Sequence, residues 1–186
     1  MTELRDNEWR DGLNLGAALI DAPDNRDNLL MPRTRRWLAV TWLPEFNVAV
    51  FAFLLNYPWE FSQVPLFAGM ADAPHWTAIQ RCAMATLGDI VIMLIAYWFV
   101  AVIARSRHWI AAPTAAHLTM FVAVGVTITV LIEQLALRGL WLGGWDYSPL
   151  MPVIPGLGVG LAPLAQWLVL PLLTVWFVRR QLAAAG

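Results

Sequence analysis

Four stretches of this chain, 46–67, 82–104, 114–137 and 155–178, hold only three charged side chains among them: Glu60, Asp89 and Glu133. About 20 consecutive apolar residues cross the hydrocarbon core of a bilayer as a helix. A chain with four such runs has few options, because in lipid every backbone polar group must be satisfied within the segment. The expected fold is therefore all-α, an integral membrane four-helix bundle. Residues 1–36 hold most of the charge and form an expected polar cytoplasmic segment, in which 13–20 could make a short amphipathic turn. Residues 37–186 form the expected transmembrane domain, with 37–45 as a helix lying in the interface. Residues 1–36 lack the positive start and apolar core of a cleavable signal, so none is expected.

Composition agrees with lipid as the solvent. The chain is 59% apolar and 13% charged, against about 45–50% and 25% for soluble domains. Its net charge of -1 argues against nucleic acid as a partner, since that requires a basic surface. The single cysteine, Cys82, excludes an internal disulfide and a multi-cysteine metal site. Eleven tryptophans suit membrane–water interfaces.

Basic residues orient the helices. Arg33, Arg35 and Arg36 precede the first span, Arg105 and Arg107 follow the second, and Arg179 and Arg180 follow the fourth. The remaining loops carry only Arg81 and Arg138. Both termini are thus expected in the cytoplasm and the protein in the cell inner (cytoplasmic) membrane. Residues 138–163, rich in Gly, Pro and aromatics, read as a turn-rich loop capping the outer mouth of the bundle. Gly156, Gly158 and Gly160 do not make a phosphate loop, since no strand precedes them and no Lys-Ser/Thr follows.

Ionisable residues inside spans are costly and usually face the bundle interior. Counted from the span ends, Glu60, Asp89 and Glu133 each fall about 6–12 Å below the outer surface, at roughly 1.5 Å per residue. Gln166 of the fourth span meets them near that level. Asn56, Glu60 and Gln63 share one helix stripe, as do Cys82, Thr86 and Asp89, and Thr129 with Glu133. Pro58 and Pro163 are expected to interrupt their helices close to this layer. Four explanations stay open. The acids could bundle the helices by pairing with Arg81, Arg138 and the glutamines. With three acids against two arginines, one acid could keep a proton and act in acid catalysis. Three carboxylates and an amide could hold Mg²⁺, Ca²⁺ or Mn²⁺. The layer could also pass ions or protons. His117 is expected to be a hydrogen-bonded interfacial residue, and Cys82 a packing one.

Glu133, the Trp145-Asp146-Tyr147 segment, and Pro152 and Pro155 ahead of the last span form a pattern over residues 133–170. This pattern resembles membrane-bound carotenoid-modifying proteins, the small lycopene cyclases and related carotenoid hydratases. The second acidic motif of the cyclases is missing, since 152–178 has no Asp or Glu. The resemblance implies protonation of an isoprenoid double bond. Glu60 or Glu133 would donate the proton, and Asp89 would position the acid or take the proton back. Trp59, Trp145 and Tyr147 would stabilise the carbocation by their ring faces. Asn56, Gln63 and Gln166 complete the candidate substrate-binding set, no resident metal is assigned, and the cofactor is left open. The expected partners are the bilayer, an apolar small-molecule substrate, and a membrane protein or second copy of the chain. A non-catalytic subunit of a larger membrane complex is the competing reading.

Overall fold

A computed structural model describes residues 43–141 and 144–185. The polar segment 1–36, and residues 37–42 of the expected interfacial helix, lie outside the described residues. The first helix, α1, spans Pro44–Ser62. It starts where it does because proline suits the first helical position, where no N–H is needed, and because Glu45 lies near the positive helix end. Pro44 and Glu45, expected in a separate surface helix, are instead its first turn. Glu45 is also neutralised, by an ion pair of 2.8 Å with Arg107. The helix stops at Ser62, short of the expected residue 67, and a 3₁₀ turn, Val64–Leu66, follows. Pro65 accounts for the break, having no N–H to carry the helix on. Pro58, expected to interrupt the helix, lies within α1, which continues through it to Ser62.

Helix α2, His75–Ile103, is 29 residues long and starts directly after Pro74. The span expected from residue 82 begins earlier, and His75, Trp76 and Arg81 are exposed residues of its first turns. At its C-terminal end Arg105 takes a left-handed φ of 51°, and Ser106 N–H donates back to the Ala101 carbonyl at 3.0 Å. This closes the helix with an arginine where glycine is usual. Helix α3, Ala115–Leu137, is opened by a capping box: His117 N–H donates to Thr114 Oγ1 at 3.2 Å, and Thr114 N–H donates to His117 Nδ1 at 3.4 Å. His117 therefore caps a helix. Helix α4 is Leu161–Ala185, so the segment 155–160 lies outside it. Gly156 and Gly158 hold φ values of 81° and 70°, which a right-handed helix cannot include. Pro163 consequently falls in the first turn, where it interrupts nothing, and Pro171 is the proline inside α4.

The helices pack in a ring, α1 on α2, α2 on α3, α3 on α4 and α4 on α1. Val48 and Ala52 of α1, Met93, Ala96, Tyr97 and Val100 of α2, Phe121 of α3, and Trp167, Val175 and Val178 of α4 fill the core. All four helices also expose large apolar side chains. Examples are Phe46 and Leu54 on α1, Leu87, Val91 and Ile95 on α2, Leu131 on α3, and Leu168 and Leu172 on α4. So much contiguous apolar surface is foreign to a soluble monomer. Helices α2, α3 and α4 are long and apolar enough to cross a membrane. Among the described residues there is no strand, only isolated bridges between Phe67 and Tyr147 and between Val153 and Gly160.

Candidate functional site

The acids do not gather into one three-carboxylate group. They divide into a largely buried acid–amide set and a latch on the loop between α3 and α4.

The hub of the first set is Gln166, one and a half turns into α4 and nearly inaccessible. Its Nε2 lies 2.8 Å from Asn56 Oδ1, 3.1 Å from Glu60 Oε1 and 2.9 Å from Asp89 Oδ2. Gln63 Nε2 donates to Glu60 Oε1 at 2.8 Å and to Gln166 Oε1 at 3.3 Å. Helices α1, α2 and α4 are thus tied together by one polar network. An amide nitrogen has two hydrogens, yet three acceptors surround this one. Glu60 and Asp89, from different helices, thus lie against the same amide nitrogen. Asn56, Gln63 and Gln166 are buried, while Glu60 and Asp89 keep part of their surface exposed.

The stripes read from the sequence explain this meeting. Asn56, Glu60 and Gln63 face inward together, and Cys82 and Thr86 bury the same side of α2 as Asp89. Thr86 itself turns back to the Cys82 carbonyl at 2.8 Å. Asp89 lies 14 residues from the start of α2, about 21 Å along the helix, yet it meets Gln166 beside Glu60, because α2 starts earlier than the expected residue 82.

Glu133, buried near the end of α3, is engaged elsewhere. Its Oε2 accepts from Trp145 Nε1 at 3.1 Å and from the Tyr147 hydroxyl. Tyr147 oxygen accepts in turn from Gly160 N–H at 2.9 Å, and burial together with Glu133 holds its phenol above the usual tyrosine range. The loop is further pinned where Ala68 N–H meets the Asp146 carbonyl at 2.8 Å and Ser148 N–H the Leu66 carbonyl at 2.9 Å. Gln134, to which the sequence reading gave no role, donates to the Leu157 carbonyl. Two adjacent polar residues closing an apolar helix were the signal for it. Residues 145–160 thus form a strap held from both ends by the last turn of α3.

Neither arginine expected to pair with the acids does so. Arg81 points to Met70 Sδ at 3.5 Å and Arg138 to Gln134 Oε1 at 3.2 Å. Trp59 Nε1, Gln63 Oε1 and Thr129 Oγ1 are buried without a partner among the described residues. Among the described residues no three His, Cys, Asp or Glu side chains are placed to hold a metal ion. A cleft of about 320 Å³ lies between Phe61, Val64, Met70, His75 and Ala78, and another of about 270 Å³ at the far end of α4. Neither is lined by Glu60, Asp89 or Glu133. No protein family, curated protein or solved structure matches the chain.

Proposed function

We propose that the chain is a four-span protein of the cell inner membrane, both termini cytoplasmic, that performs acid–base chemistry on an apolar isoprenoid or lipid substrate. The observation that supports this is the meeting of two carboxyls from different helices at Gln166 Nε2, Glu60 at 3.1 Å and Asp89 at 2.9 Å, with no arginine paired to either among the described residues. A proton on one of them, in this partly open site, would be available to a double bond that water does not reach. Glu60 donates, Asp89 stabilises the remaining charge and takes the proton back, and Gln166 with Gln63 fixes both carboxyls in place. Trp59, beside Glu60, offers a ring face to the developing cation. Glu133 is occupied by Trp145 and Tyr147, so its role is to hold the strap.

Two experiments test this. Lipid extracts of cells with and without the protein should differ in one isoprenoid or lipid species and its product; identical profiles would remove the catalytic reading. Alkaline phosphatase fused to either terminus should stay inactive, because that enzyme works only outside the cytoplasm, and an active fusion would invert the topology. The near-complete burial of Asn56, Gln63 and Gln166 favours a second reading, in which the network only locks the helices of a subunit of a larger membrane complex. An unchanged lipid profile together with co-purification of a membrane partner is the result it requires.

A further inference from the structure

The far end of the bundle carries a site of different chemistry. The end of α4 and the 3₁₀ turn Trp109–Ala111 border an open cleft of about 270 Å³ lined by Ala111, Trp176, Arg179, Arg180 and Ala183. Its lining includes two guanidinium groups and no acid. Among the described residues the ion pair is Arg107 with Glu45, so neither arginine of the cleft is neutralised there. Both are held in place. Arg180 lies over the Trp176 ring, 4.3 Å from its centroid, and Arg179 Nε donates to the Ala111 carbonyl at 3.4 Å. Trp176 is fixed in turn by Phe177, 4.6 Å away edge to face, and Phe177 stacks on Phe51 at 5.3 Å. The turn forming the other wall is anchored by Trp109, which is buried and donates to the Tyr97 carbonyl at 3.2 Å.

Trp176 is 45% exposed, and Leu172, Leu173, Leu168 and Val169 continue an exposed apolar surface along α4 from it. Tryptophan favours the headgroup level of a bilayer, so the two arginines sit where lipid phosphates lie. Guanidinium groups present planar paired donors that match phosphate oxygens. The cleft is smaller than the roughly 300–1,000 Å³ typical of drug-sized ligands, which suits a small headgroup whose chains leave along the helix. We propose that this cleft binds the phosphate of an anionic phospholipid, with the acyl chains lying against the exposed leucines of α4. Basic pockets at the ends of membrane helices are a recognised means of selecting anionic lipids. The site is separate from the acid network and stands whether or not that network is catalytic.

The test uses the full chain purified in detergent and titrated with short-chain phosphatidylglycerol, with lipid adducts counted by native mass spectrometry. The Arg179→Gln, Arg180→Gln double variant should bind about 25-fold more weakly, roughly fivefold per arginine at a membrane surface. Arg81→Gln with Arg138→Gln, the same charge loss at the opposite end, should stay within about twofold of the parent, at the limit of what lost long-range attraction produces in screened solution. The double lysine variant, which keeps the charge but loses the planar donors, should fall between. Undiminished binding by the glutamine variant would overturn the proposal, as would phosphatidylcholine binding as tightly as phosphatidylglycerol. Displacement of the lipid by an equal concentration of inorganic phosphate would also overturn it, because free phosphate would then be the ligand.

Discussion

Glu60→Gln and Asp89→Asn, made singly, should each lower conversion of the substrate by about 10²- to 10⁴-fold, the range expected when a positioned acid or base is removed. Neither change should unfold the protein. Glutamine at 60 keeps the carbonyl oxygen that accepts from Gln166 and Gln63, and asparagine at 89 keeps an acceptor for Gln166. What both remove is a proton that can leave. Product measured in lipid extracts, beside the melting temperature in detergent, separates chemistry from folding. If the network serves only to bundle helices, these near-isosteric variants should retain full function, and that outcome would end the catalytic proposal. Glu60→Asp is a useful intermediate. It keeps the proton but draws it back by one methylene, so activity should fall less than with glutamine.

Gly125→Ala should produce the largest loss of stability from a single added methyl group. A Cβ at this position in α3 would overlap Trp167 Cε3 and lie 2.5 Å from Cζ3. Both are ring atoms of a rigid side chain that is only 2% exposed, so either the indole or the whole of α4 must move. Small-to-large changes in a packed core cost typically about 1–3 kcal/mol, and an overlap this deep belongs at the upper end. Small residues at helix contacts are how membrane bundles achieve close approach. Gln166 immediately precedes Trp167, so displacing α4 should also stretch the bonds to Asn56, Glu60 and Asp89 and depress function. Thermal unfolding in detergent should show a clear drop in midpoint, and adding Trp167→Leu should recover part of it, since the two sites are in contact and should couple. An unchanged midpoint in Gly125→Ala would mean that the indole yields freely, against this account.

Hydropathy made the apolar helices legible, and α3 is found within a residue of its expected start and at its expected end. Boundaries set by backbone chemistry were harder to read. Pro44 reads as a breaker inside a span but is the first residue of a helix, and His75 through Arg81 read as loop although Pro74 supplies a clean helix start. In the segment 155–160, left-handed glycines outweigh an apolar composition. The helix stripes brought Asn56, Glu60, Gln63, Asp89 and Gln166 within view of one another, because helical periodicity is local. The fate of Glu133 was hidden, because it depends on the pairing of 66–68 with 146–148, a contact between loops some 80 residues apart that no local pattern encodes. The hint in the sequence was the Trp145-Asp146-Tyr147 segment, which supplies the two donors that Glu133 accepts.

The unequal lengths of α1 and α2 bear on how this protein responds to its bilayer. Nineteen residues of α1 measure about 28 Å and twenty-nine of α2 about 44 Å, beside a hydrocarbon thickness of about 30 Å. In the proposed four-span arrangement the short helix would match the slab, while the long one would have to tilt or protrude. Glu60 belongs to the first and Asp89 to the second, so thinning or thickening the bilayer would strain the register at which both carboxyls reach Gln166. Membrane thickness would thereby become a mechanical input to the site on which the proposed chemistry rests.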